Sequence, residues 1–473
     1  MAKPRRDPQV LFNAAVGAFQ AGDLARAERE ARKLTKMFPA EADCWNLRAQ
    51  IALKGERPSD AIRFFKMAVK ARPDDAALWN NLGNVLQQNG EWEPAVDAYR
   101  QSLRFRPGDR DTMSNFGNAL IAAGQLADAE DVYRSMLARD AADTSALVNL
   151  SYVLTLRREP DAVVELIEKT MQGGELAPAV CNNFATNLAE LGRLDDSADV
   201  LAKGLARAPD DPNLRFKNSV VQMLRGDWHA GWGDFDARWV ATDMTPRPFG
   251  QAVWRNQNLE GKTILVWGEQ GIGDEVMLAS MVPDLLARAG KVIVECDPRL
   301  SACFRRSFEG AVVVDRTNPP AAELMSHAID FQIAAGDLGR WLRPDEASFT
   351  GGLPYLKADA ARTRSFRESY RGEGKDVVVG LTWRSANVDI GDVKSLDVCE
   401  LAPIFHVPGC RFVNLQYGDV TADLKALKDA GIVPPLTDPE LDPVADFDGH
   451  MAQVAAMDLI ISASNSTVHA AGA

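Results

Sequence analysis

Several features that would place this chain in a membrane or in a secretory pathway are missing from its sequence. None of its 473 residues belongs to a run approaching the ~20 apolar residues of a membrane helix. The basic start, with Lys3, Arg5 and Arg6, is not followed by the apolar stretch of a signal peptide. We therefore expect a cytoplasmic protein without a membrane span.

Clustered cysteines and an excess of basic charge are missing as well. The six cysteines are scattered and form no C-x-x-C pair, which predicts reduced thiols rather than disulfides or zinc ligands. A formal net charge of −13 disfavours phosphate backbones, so we expect no nucleic-acid partner. With 46% hydrophobic and 25% charged residues the composition is globular, and the length predicts more than one domain.

What the first half of the chain has is a period of 34 residues. Small side chains recur in one column, bulky or aromatic ones in a second, and proline and alanine in two more. The small column is Ala15, Ala49, Gly83, Gly117, Ser151 and Ala185, and the bulky column is Phe65, Tyr99, Tyr133, Ile167 and Leu201. The other two are Pro39, Pro73, Pro107 and Pro209, and Ala27, Ala61, Ala95 and Ala129. Such a period predicts stacked helix pairs, whose small residues let two helices approach and whose prolines end a helix.

The columns resemble those of tetratricopeptide repeats. Trp45 and Trp79 stand at the fourth position of their repeats, and the pattern spans residues 8–211 as six repeats. Repeats two to four match best, and repeat five is eroded around Arg157–Pro160. Because such stacks usually bind other polypeptides, we expect a protein partner.

A column of asparagines stands at the sixth position of these repeats and is interrupted only by Leu47. Its members are Asn13, Asn81, Asn115, Asn149 and Asn183, and Asn84 and Asn118 add a partial second row. An asparagine side chain is both donor and acceptor, so a row of them can hold the backbone of an extended acceptor peptide. Asparagine is also common at this position in tetratricopeptide repeats whatever they bind, and that alternative stays open.

Helical periodicity continues beyond the six repeats into a seventh, incomplete pair at residues 212–244, after a disordered tail at 1–7. The spacing of Trp228, Trp232, Phe235 and Trp239 puts these aromatic residues on one helical face. We favour a capping face buried against the next domain over a binding face. Residues 245–261 are then a linker.

After Lys262 short apolar strands alternate with helical stretches, which predicts parallel sheets covered by helices. Residues 262–357 form a first Rossmann-like domain, residues 358–375 a connector helix, and residues 376–473 a second, incomplete Rossmann-like domain. The predicted strands are Thr263–Trp267, Val292–Cys296, Val312–Val314, Ile329–Ile333, Val377–Trp383, Arg411–Gln416 and Leu459–Ala463, with a helix at about 275–289. The fold class is thus an all-α solenoid followed by an α/β pair of Rossmann-like domains, and the cleft between them is the expected site.

The first candidate constellation is the glycine-rich turn from Gly268 to Asp274. Its spacing is not G-x-G-x-x-G, and Glu269, Asp274 and Glu275 would surround the helix N-terminus and repel an anion. The glycines allow a neutral group such as a hydroxyl to come close, and Asp274 could accept its proton. Asp274 as a helix cap only is the equal alternative.

The second constellation suits an anion. Arg384 follows a strand, Lys394 lies in the next polar loop, and the segment 464–469 joins the last strand to a helix. Hydroxyl and backbone N–H groups there, with both cations, can bind a diphosphate. The candidate donor-binding residues are Arg384, Lys394, Asn465, Ser466, Thr467 and His469. Taken singly, each has a structural alternative: a surface ion pair for Arg384, a cap for Ser466 and a buried histidine for His469.

These segments resemble heptosyltransferase-type (family 9) glycosyltransferases of the GT-B fold. The run ILVWGEQGIGDEVMLASMVPDLL is similar to their first domain, and VGLTWRSA, FVNLQYGD and DLIISASNSTVHAAGA are similar to their nucleotide-sugar domain. With the repeats, the chain resembles bacterial tetratricopeptide–glycosyltransferase fusions and, more distantly, O-GlcNAc transferases.

The resemblance implies Asp274 as catalytic base, Lys394 at the donor phosphates and His469 in the donor motif. It also implies inverting, metal-independent transfer without a cofactor, to a flagellin or another surface protein. Ser464 stands where the family has aspartate, and Ser466 replaces the following glycine. The pairs Asp446/Asp448 and Asp234/Asp236 have the form of a metal-binding motif, but capping or solvated positions explain them better.

The sequence therefore predicts a glycosyltransferase that moves a sugar from a nucleotide-sugar donor to a protein hydroxyl. Two other functions stay open. One is a non-catalytic adaptor with a degenerate transferase domain, which Ser464 favours. The other is a sugar-nucleotide epimerase, which would turn over donor without any acceptor.

Overall fold

The computed structural model describes residues 8–170, 176–242, 244–325, 327–349, 354–371, 374–385, 391 and 394–473. The chain divides into two compact units, Met1–Val221 (unit 1) and Gln222–Ala473 (unit 2). No helix within these described ranges combines the length and apolar character needed to cross a membrane.

Unit 1 consists of helix pairs, as the 34-residue period predicts. The first helices of the pairs are α1 (Pro8–Gln20), α3 (Ala42–Lys54), α5 (Ala76–Gln88), α7 (Arg110–Ala122), α9 (Thr144–Leu156) and α11 (Pro178–Glu190). The second helices are α2 (Leu24–Met37), α4 (Pro58–Ala71), α6 (Trp92–Phe105), α8 (Leu126–Arg139), α10 (Pro160–Thr170) and α12 (Leu194–Arg207). A further helix, α13 (Pro212–Leu224), begins in unit 1. The prediction of an all-α solenoid is confirmed.

The small and bulky columns meet inside the third and fourth pairs. Tyr99 and Tyr133 are fully buried, and their rings lie against Gly83 and Gly117 of the preceding first helix. A Cβ atom on Gly83 would lie 2.6 Å from Tyr99 Cε1. The hydroxyl of each tyrosine donates a hydrogen bond of 2.7 Å to an asparagine of the same first helix, Asn84 or Asn118. The bulky side chains thus fill the space that the small residues leave free, and the two columns form one packing contact.

The turn inside each pair repeats a left-handed backbone conformation. The six residues with positive φ are Gly22, Glu56, Gly90, Gly124, Arg158 and Gly192, each 34 residues after the one before. Glycine adopts this conformation without strain, whereas Glu56 and Arg158 hold it as ordinary side chains. The left-handed conformation of this turn therefore recurs in every repeat, whether or not the residue there is glycine.

Unit 2 opens with an aromatic helix, α14 (Trp228–Asp234), and a short helix, α15 (Arg238–Ala241). The Trp232 indole donates a hydrogen bond of 2.7 Å to the Arg343 carbonyl, and its ring fills the space beside Gly339. The Trp228 ring lies 4.5 Å from that of Phe349, between centroids. The aromatic face thus packs inside unit 2.

The first sheet of unit 2 has five parallel strands in the order β1-β5-β2-β3-β4. The strands are β1 (Ala252–Val253), β2 (Thr263–Trp267), β3 (Lys291–Cys296), β4 (Ala311–Asp315) and β5 (Phe331–Ala334). Its helices are α16 (Ile272–Leu278), α17 (Val282–Leu286), α18 (Ser301–Ser307), α19 (Ala322–Met325) and α20 (Gly339–Leu342). The strands are almost continuously apolar because helices cover a parallel sheet on both faces.

Two predictions for this region were wrong in detail. The helix expected at about 275–289 is two helices, α16 and α17, because Pro283 cannot donate the backbone hydrogen bond that an unbroken helix requires. The strand expected at 329–333 begins only at Phe331, because the Asp330 carboxylate accepts hydrogen bonds from Thr263 N–H and Lys262. The strand β1 was not predicted, since two residues carry no periodic signal.

The second sheet has three parallel strands in the order β7-β6-β8 and belongs to the same compact unit. Its strands are β6 (Val377–Thr382), β7 (Cys410–Asn414) and β8 (Leu459–Ser462). Its helices are α21 (Ala360–Arg371), α22 (Ala402–Phe405), α23 (Thr421–Asp429), α24 (Phe447–Ala455) and α25 (Ser466–Gly472). Both sheets contribute to one apolar cluster, in which Ile333 of the first sheet and Val378 of the second are buried. The predicted α/β region with parallel sheets is confirmed.

Candidate functional site

The two acidic side chains flanking Asp274 are buried and paired, contrary to the predicted acidic rim. Glu269 turns inward and forms an ion pair with Arg238, at 3.1 Å between Oε1 and Nη2, and it accepts the Gly336 N–H at 2.8 Å. Burial raises the pKa of Glu269, and the Arg238 guanidinium opposes that shift. Arg238 is itself fully buried between the rings of Phe235 and Trp239. Glu269 therefore fastens α15 to the β2–α16 turn.

Glu275 is buried on the other side of the same turn. Its carboxylate lies 2.5 Å from Arg316 Nη1 and accepts the Asp297 N–H at 2.9 Å. Burial raises the pKa of Glu275 to about 7, although Arg316 opposes the shift. A Cβ on Gly268 would lie 2.5 Å from the Glu275 carboxyl carbon, so this glycine is required by packing. The expectation that Glu269 and Glu275 repel anions at the helix start was wrong, because both charges are neutralised by arginines.

Asp274 is the third residue of α16 and is half-buried. Its Oδ2 atom accepts the Gly271 N–H at 3.1 Å, so the side chain caps the helix. Within the described residues its other oxygen has no hydrogen-bond partner. The capping role thus uses one oxygen and leaves the second available as a proton acceptor.

Asn465 connects the turn after β8 to the end of β6. Its amide nitrogen donates to Thr382 Oγ1 and to the Arg384 carbonyl, both at 3.0 Å. Its Oδ1 atom accepts the Thr467 N–H at 2.9 Å, which caps α25. The side chain is buried and its hydrogen bonds are internal. Asn465 therefore holds the predicted donor segment in place.

Thr467 is fully buried, and its hydroxyl lies 3.0 Å from Nε2 of His450, a residue that the sequence analysis did not single out. His450 Nδ1 faces Gln453 Oε1 at 3.4 Å, and Gln453 donates to the Tyr370 hydroxyl at 2.9 Å. Burial lowers the pKa of His450 to about 4, so the imidazole is neutral. If Nδ1 donates to Gln453, Nε2 accepts the Thr467 hydroxyl proton. The Thr467 hydroxyl is thus directed into the core.

Ser466 and His469 lie where the two predicted constellations meet. A Cβ atom on Gly273 of α16 would lie 3.0 Å from His469 Cδ2 and 3.3 Å from the Ser466 Cα atom. Glycine thus allows α16 and α25 to approach closely, since a Cβ atom here would push these neighbours back by a few tenths of an ångström. The turns after β2 and β8, which belong to different sheets, therefore lie side by side. Ser464 is exposed, and Ser466 and His469 are half-buried.

The two predicted cations lie near the carboxyl end of β6. Arg384 forms an ion pair with Asp423 at 2.9 Å and donates to the Asp419 carbonyl at 2.7 Å. The chain returns to the strand after Lys394, since Leu396 N–H bonds to the Trp383 carbonyl at 2.8 Å. Lys394 is exposed beside this return. Arg384 thus has the ion pair that the sequence analysis gave as its structural alternative, and Lys394 is exposed.

Three of the four carboxylates in the acidic pairs with the form of a metal motif form ion pairs with arginines. Asp446 caps α24 through the Gly449 N–H at 2.8 Å and pairs with Arg362. Asp448 pairs with Arg306, and Asp236 pairs with Arg340. These contacts explain the three carboxylates as structural.

The asparagine column of unit 1 links neighbouring repeats. Asn115 donates to Asn84 Oδ1 at 3.1 Å, Asn149 donates to Asn118 Oδ1 at 3.4 Å, and Asn183 donates to Ser151 Oγ at 3.0 Å. All three amides therefore donate to the preceding first helix, and Asn183 donates there a second time, to the Val148 carbonyl at 3.2 Å.

The other two members of the column have different surroundings. Asn13 is exposed and accepts a hydrogen bond from Gln9, whereas Asn81 is half-buried. The column joins the repeats, and its contact with a peptide stays a prediction.

Comparison with known proteins bears on unit 1 most directly. A model of the tetratricopeptide repeat family matches residues 12–76 and 57–110. The chain thus contains tetratricopeptide repeats, a kind of repeat whose stacked helix pairs usually bind other polypeptides.

One curated relative extends the comparison beyond the repeats. Protein FlbA of Caulobacter vibrioides is 30% identical over 313 residues, which are 62% of this chain and 52% of that protein. The chain therefore spans about half the length of this relative. Because unit 1 ends at Val221, the alignment reaches into unit 2. The relative's name states no activity.

Solved structures that match the chain include a tetratricopeptide repeat protein. A tetratricopeptide repeat protein from Parabacteroides merdae covers 50% of this chain and 94% of its own, with a TM-score of 0.40 and 14% identity. The MamA protein covers 35% of this chain and 90% of its own (TM-score 0.33, 18% identity). PilF of Pseudomonas aeruginosa covers 44% and 95% (TM-score 0.33, 17% identity).

Proposed function

We propose that unit 1 recruits a protein acceptor and that unit 2 transfers a sugar from a nucleotide-sugar donor to a hydroxyl of that acceptor. The observation that carries the proposal is the meeting of the β2–α16 and β8–α25 turns at Gly273. Ligands of open parallel sheets bind beyond the carboxyl ends of the strands, and both turns lie there. A GT-B arrangement of the two sheets is part of the proposal and rests on the resemblance.

The proposed step is a displacement at the anomeric carbon of the donor sugar. The acceptor oxygen forms a bond to that carbon while the bond from the carbon to the diphosphate oxygen breaks. The acceptor hydroxyl gives its proton to the Asp274 carboxylate, and the leaving nucleoside diphosphate keeps the electron pair. The capping bond from Gly271 N–H fixes one Asp274 oxygen and so orients the other.

The charges of the leaving diphosphate would be met by Lys394 and by groups of the β8–α25 turn. Ser466 and His469 are half-buried beside Gly273 and can donate to phosphate oxygens. Arg384 would join them only by exchanging Asp423 for the ligand. Asn465 and Thr467 would be positioning residues, because their hydrogen bonds are to other protein groups and hold the turn in place.

A non-catalytic adaptor is the second candidate function, and the engagement of Arg384 by Asp423 favours it. Calorimetric titration with UDP, GDP, CDP and dTDP separates the two, because an adaptor releases no binding heat with any of them. A sugar-nucleotide epimerase would instead convert donor in the absence of a protein acceptor.

The Asp274 role is tested by comparing Asp274→Asn with Asp274→Ala. Asparagine keeps an oxygen that can accept the Gly271 N–H but removes the base, whereas alanine removes both. We expect Asp274→Asn to lose transfer by about a hundredfold or more while keeping the wild-type melting temperature and nucleotide affinity. Transfer is followed by the mass added to an acceptor protein co-purified with the chain. If Asp274→Asn transferred the sugar at the wild-type rate, Asp274 would be only a helix cap and not the base.

A further inference from the structure

Charge is distributed unequally between the two helices of each pair in unit 1. The first helices α1, α5 and α9, of 13 residues each, contain no Asp, Glu, Lys or Arg. At the chain average of 25% charged residues, about ten would be expected in these helices. The second helices carry many charges, as in the Arg29–Glu30 and Arg32–Glu28 pairs of α2. The other first helices, α3, α7 and α11, contain 6 charged residues, so the first helices together have 6 among 78 residues where the chain average would give about twenty. The first helix α1 contacts α3, and α5, α7, α9 and α11 contact one another in that order, so the first helices form a largely uncharged face, here called the first-helix face.

An open pocket of about 320 Å³ lies on this face between α1 and α3. Its apolar wall consists of Phe12, Val16, Phe19 and Leu47, and its polar wall of Gln20, Asp43, Asn46 and Gln50. Leu47 is the residue that replaces asparagine in the sixth-position column. The interruption of that column and the pocket therefore coincide.

The two charges nearest to the pocket, on Asp43 and Lys54, already have contacts within the repeats. Asp43 is held by two hydrogen bonds from Arg72, of 3.2 and 2.9 Å. The Lys54 ammonium lies over the Phe19 ring, 5.1 Å from its centroid. A basic side chain entering the pocket would lose its hydration and would find Asp43 already paired with Arg72, which is unfavourable. An acidic side chain would have to draw Lys54 away from the Phe19 ring to gain a counter-charge.

We propose that the pocket between α1 and α3 binds one large apolar side chain of an extended, uncharged polypeptide segment that continues along the first-helix face. The proposal rests on the protein-binding part of the proposed function and not on sugar transfer. The pocket holds roughly ten water volumes of about 30 Å³, and an apolar side chain displaces that water favourably. The rest of the segment lies on amides that recognise backbone groups rather than side chains.

The spacing of the helices sets the length of the segment. Neighbouring helices pack about 10 Å apart, so the distance from the pocket to Asn115 on α7 is about 20 Å. An extended chain covers that distance with about six residues at ~3.3 Å each. The partner is thus an apolar anchor followed by at least six small or neutral residues. Neutrality of the segment matches neutrality of the face, because burying an unpaired charge there is costly.

The test measures fluorescence anisotropy of labelled 14-residue peptides with the full chain. The peptides contain Ser, Thr, Ala and Gln with a single Leu near either end, and the comparison peptides replace that Leu by Ser or by Lys. We expect one of the Leu peptides to bind at least about tenfold more tightly than its Ser and Lys counterparts.

Two substitutions on the same helix give the matched control. Val16→Asp places a charge in the pocket and should abolish the preference for Leu, whereas Val10→Asp, at a position of α1 that is 61% exposed, should preserve it. Gln50→Glu also introduces a charge into the pocket lining but leaves the side-chain volume unchanged. It should likewise reduce the preference for Leu, and it keeps the test valid if Val16→Asp fails to fold. Asn149→Ala should weaken the Leu and Ser peptides by the same factor.

Equal affinities for Leu and Ser peptides, tighter binding of the Lys peptide, or no binding of any peptide at 1 mM would each overturn the proposal. So would concentration-dependent self-association that Val16→Asp abolishes, because the occupant would then be a second copy of the chain. Sugar transfer is tested separately with Asp274→Asn, so the peptide-binding proposal and the sugar-transfer proposal can fail independently.

Discussion

The contact between Gly83 and Tyr99 gives a test of what the 34-residue columns do. In Gly83→Ala the new methyl carbon would lie 2.6 Å from Tyr99 Cε1 and 2.8 Å from Cδ1, against an ordinary carbon–carbon separation of about 3.5–4.0 Å. The ring must move by about 1 Å in a fully buried site. Overpacking of this kind costs about 1–3 kcal/mol, and the helix propensity of alanine returns about 1 kcal/mol. With an overlap this large, we expect a net loss of about 1–2 kcal/mol.

Gly17 supplies the matched control for this substitution. It lies inside α1, is exposed, and a Cβ there would meet nothing within 4 Å. Gly17→Ala should therefore stabilise the protein by about 0.5–1 kcal/mol. Urea unfolding followed by circular dichroism at 222 nm compares the two variants. The destabilisation by Gly83→Ala should shrink in a Tyr99→Leu background, where the ring is gone. A Gly83→Ala protein as stable as Gly17→Ala would refute the packing argument.

Two further predictions concern unit 2. Arg238→Met leaves Glu269 buried without its counter-charge, and we expect it to lower the free energy of unfolding in urea by about 3–5 kcal/mol. The double variant Arg238→Met/Glu269→Gln should recover most of that loss. Equal stabilities of the two variants would contradict this reasoning. His450 has a pKa of about 4 in the folded state against 6.5 unfolded, so below pH 6.5 the unfolded chain binds the extra proton. The contribution of His450 is therefore complete above pH 6.5 and lost as the pH falls toward 4, by about 3 kcal/mol, and His450→Gln should flatten that part of the stability–pH curve.

The solenoid could be predicted because its packing repeats. Similar small and bulky side chains recur every 34 residues. A repeat that matches the pattern weakly, such as the fifth, can therefore be assigned from the positions of the others. The left-handed turn between helices was missed because Glu56 and Arg158 occupy two of its six positions and conceal the glycine column. The parallel strands were found for a different reason: buried strands such as Thr263–Trp267 are apolar without interruption.

The candidate site was harder to predict because the same residue types serve as ligand groups and as internal partners. Glu269 and Glu275 were expected to surround the helix N-terminus and repel an anion, but each has an arginine that is distant in sequence, Arg238 or Arg316. His450 lies 17 residues before Thr467, in a helix without a recognisable motif. Pairings of this kind depend on tertiary contacts, and a single sequence carries no signal for them.

These internal pairings narrow the groups that are left for a ligand. Asn465 binds Thr382, the Arg384 carbonyl and the Thr467 N–H, and so joins the ends of β6 and β8 into one surface. Since a buried amide with these partners gains nothing from a phosphate, its loss should first lower stability and only then ligand affinity. In the proposed transferase, direct contact with the donor would fall to Lys394, Ser466 and His469, with Asp274 on the neighbouring turn. A donor held by these exposed and half-buried groups would be fixed mainly by the rigidity that Asn465 and the Gly273 contact impose on the two turns.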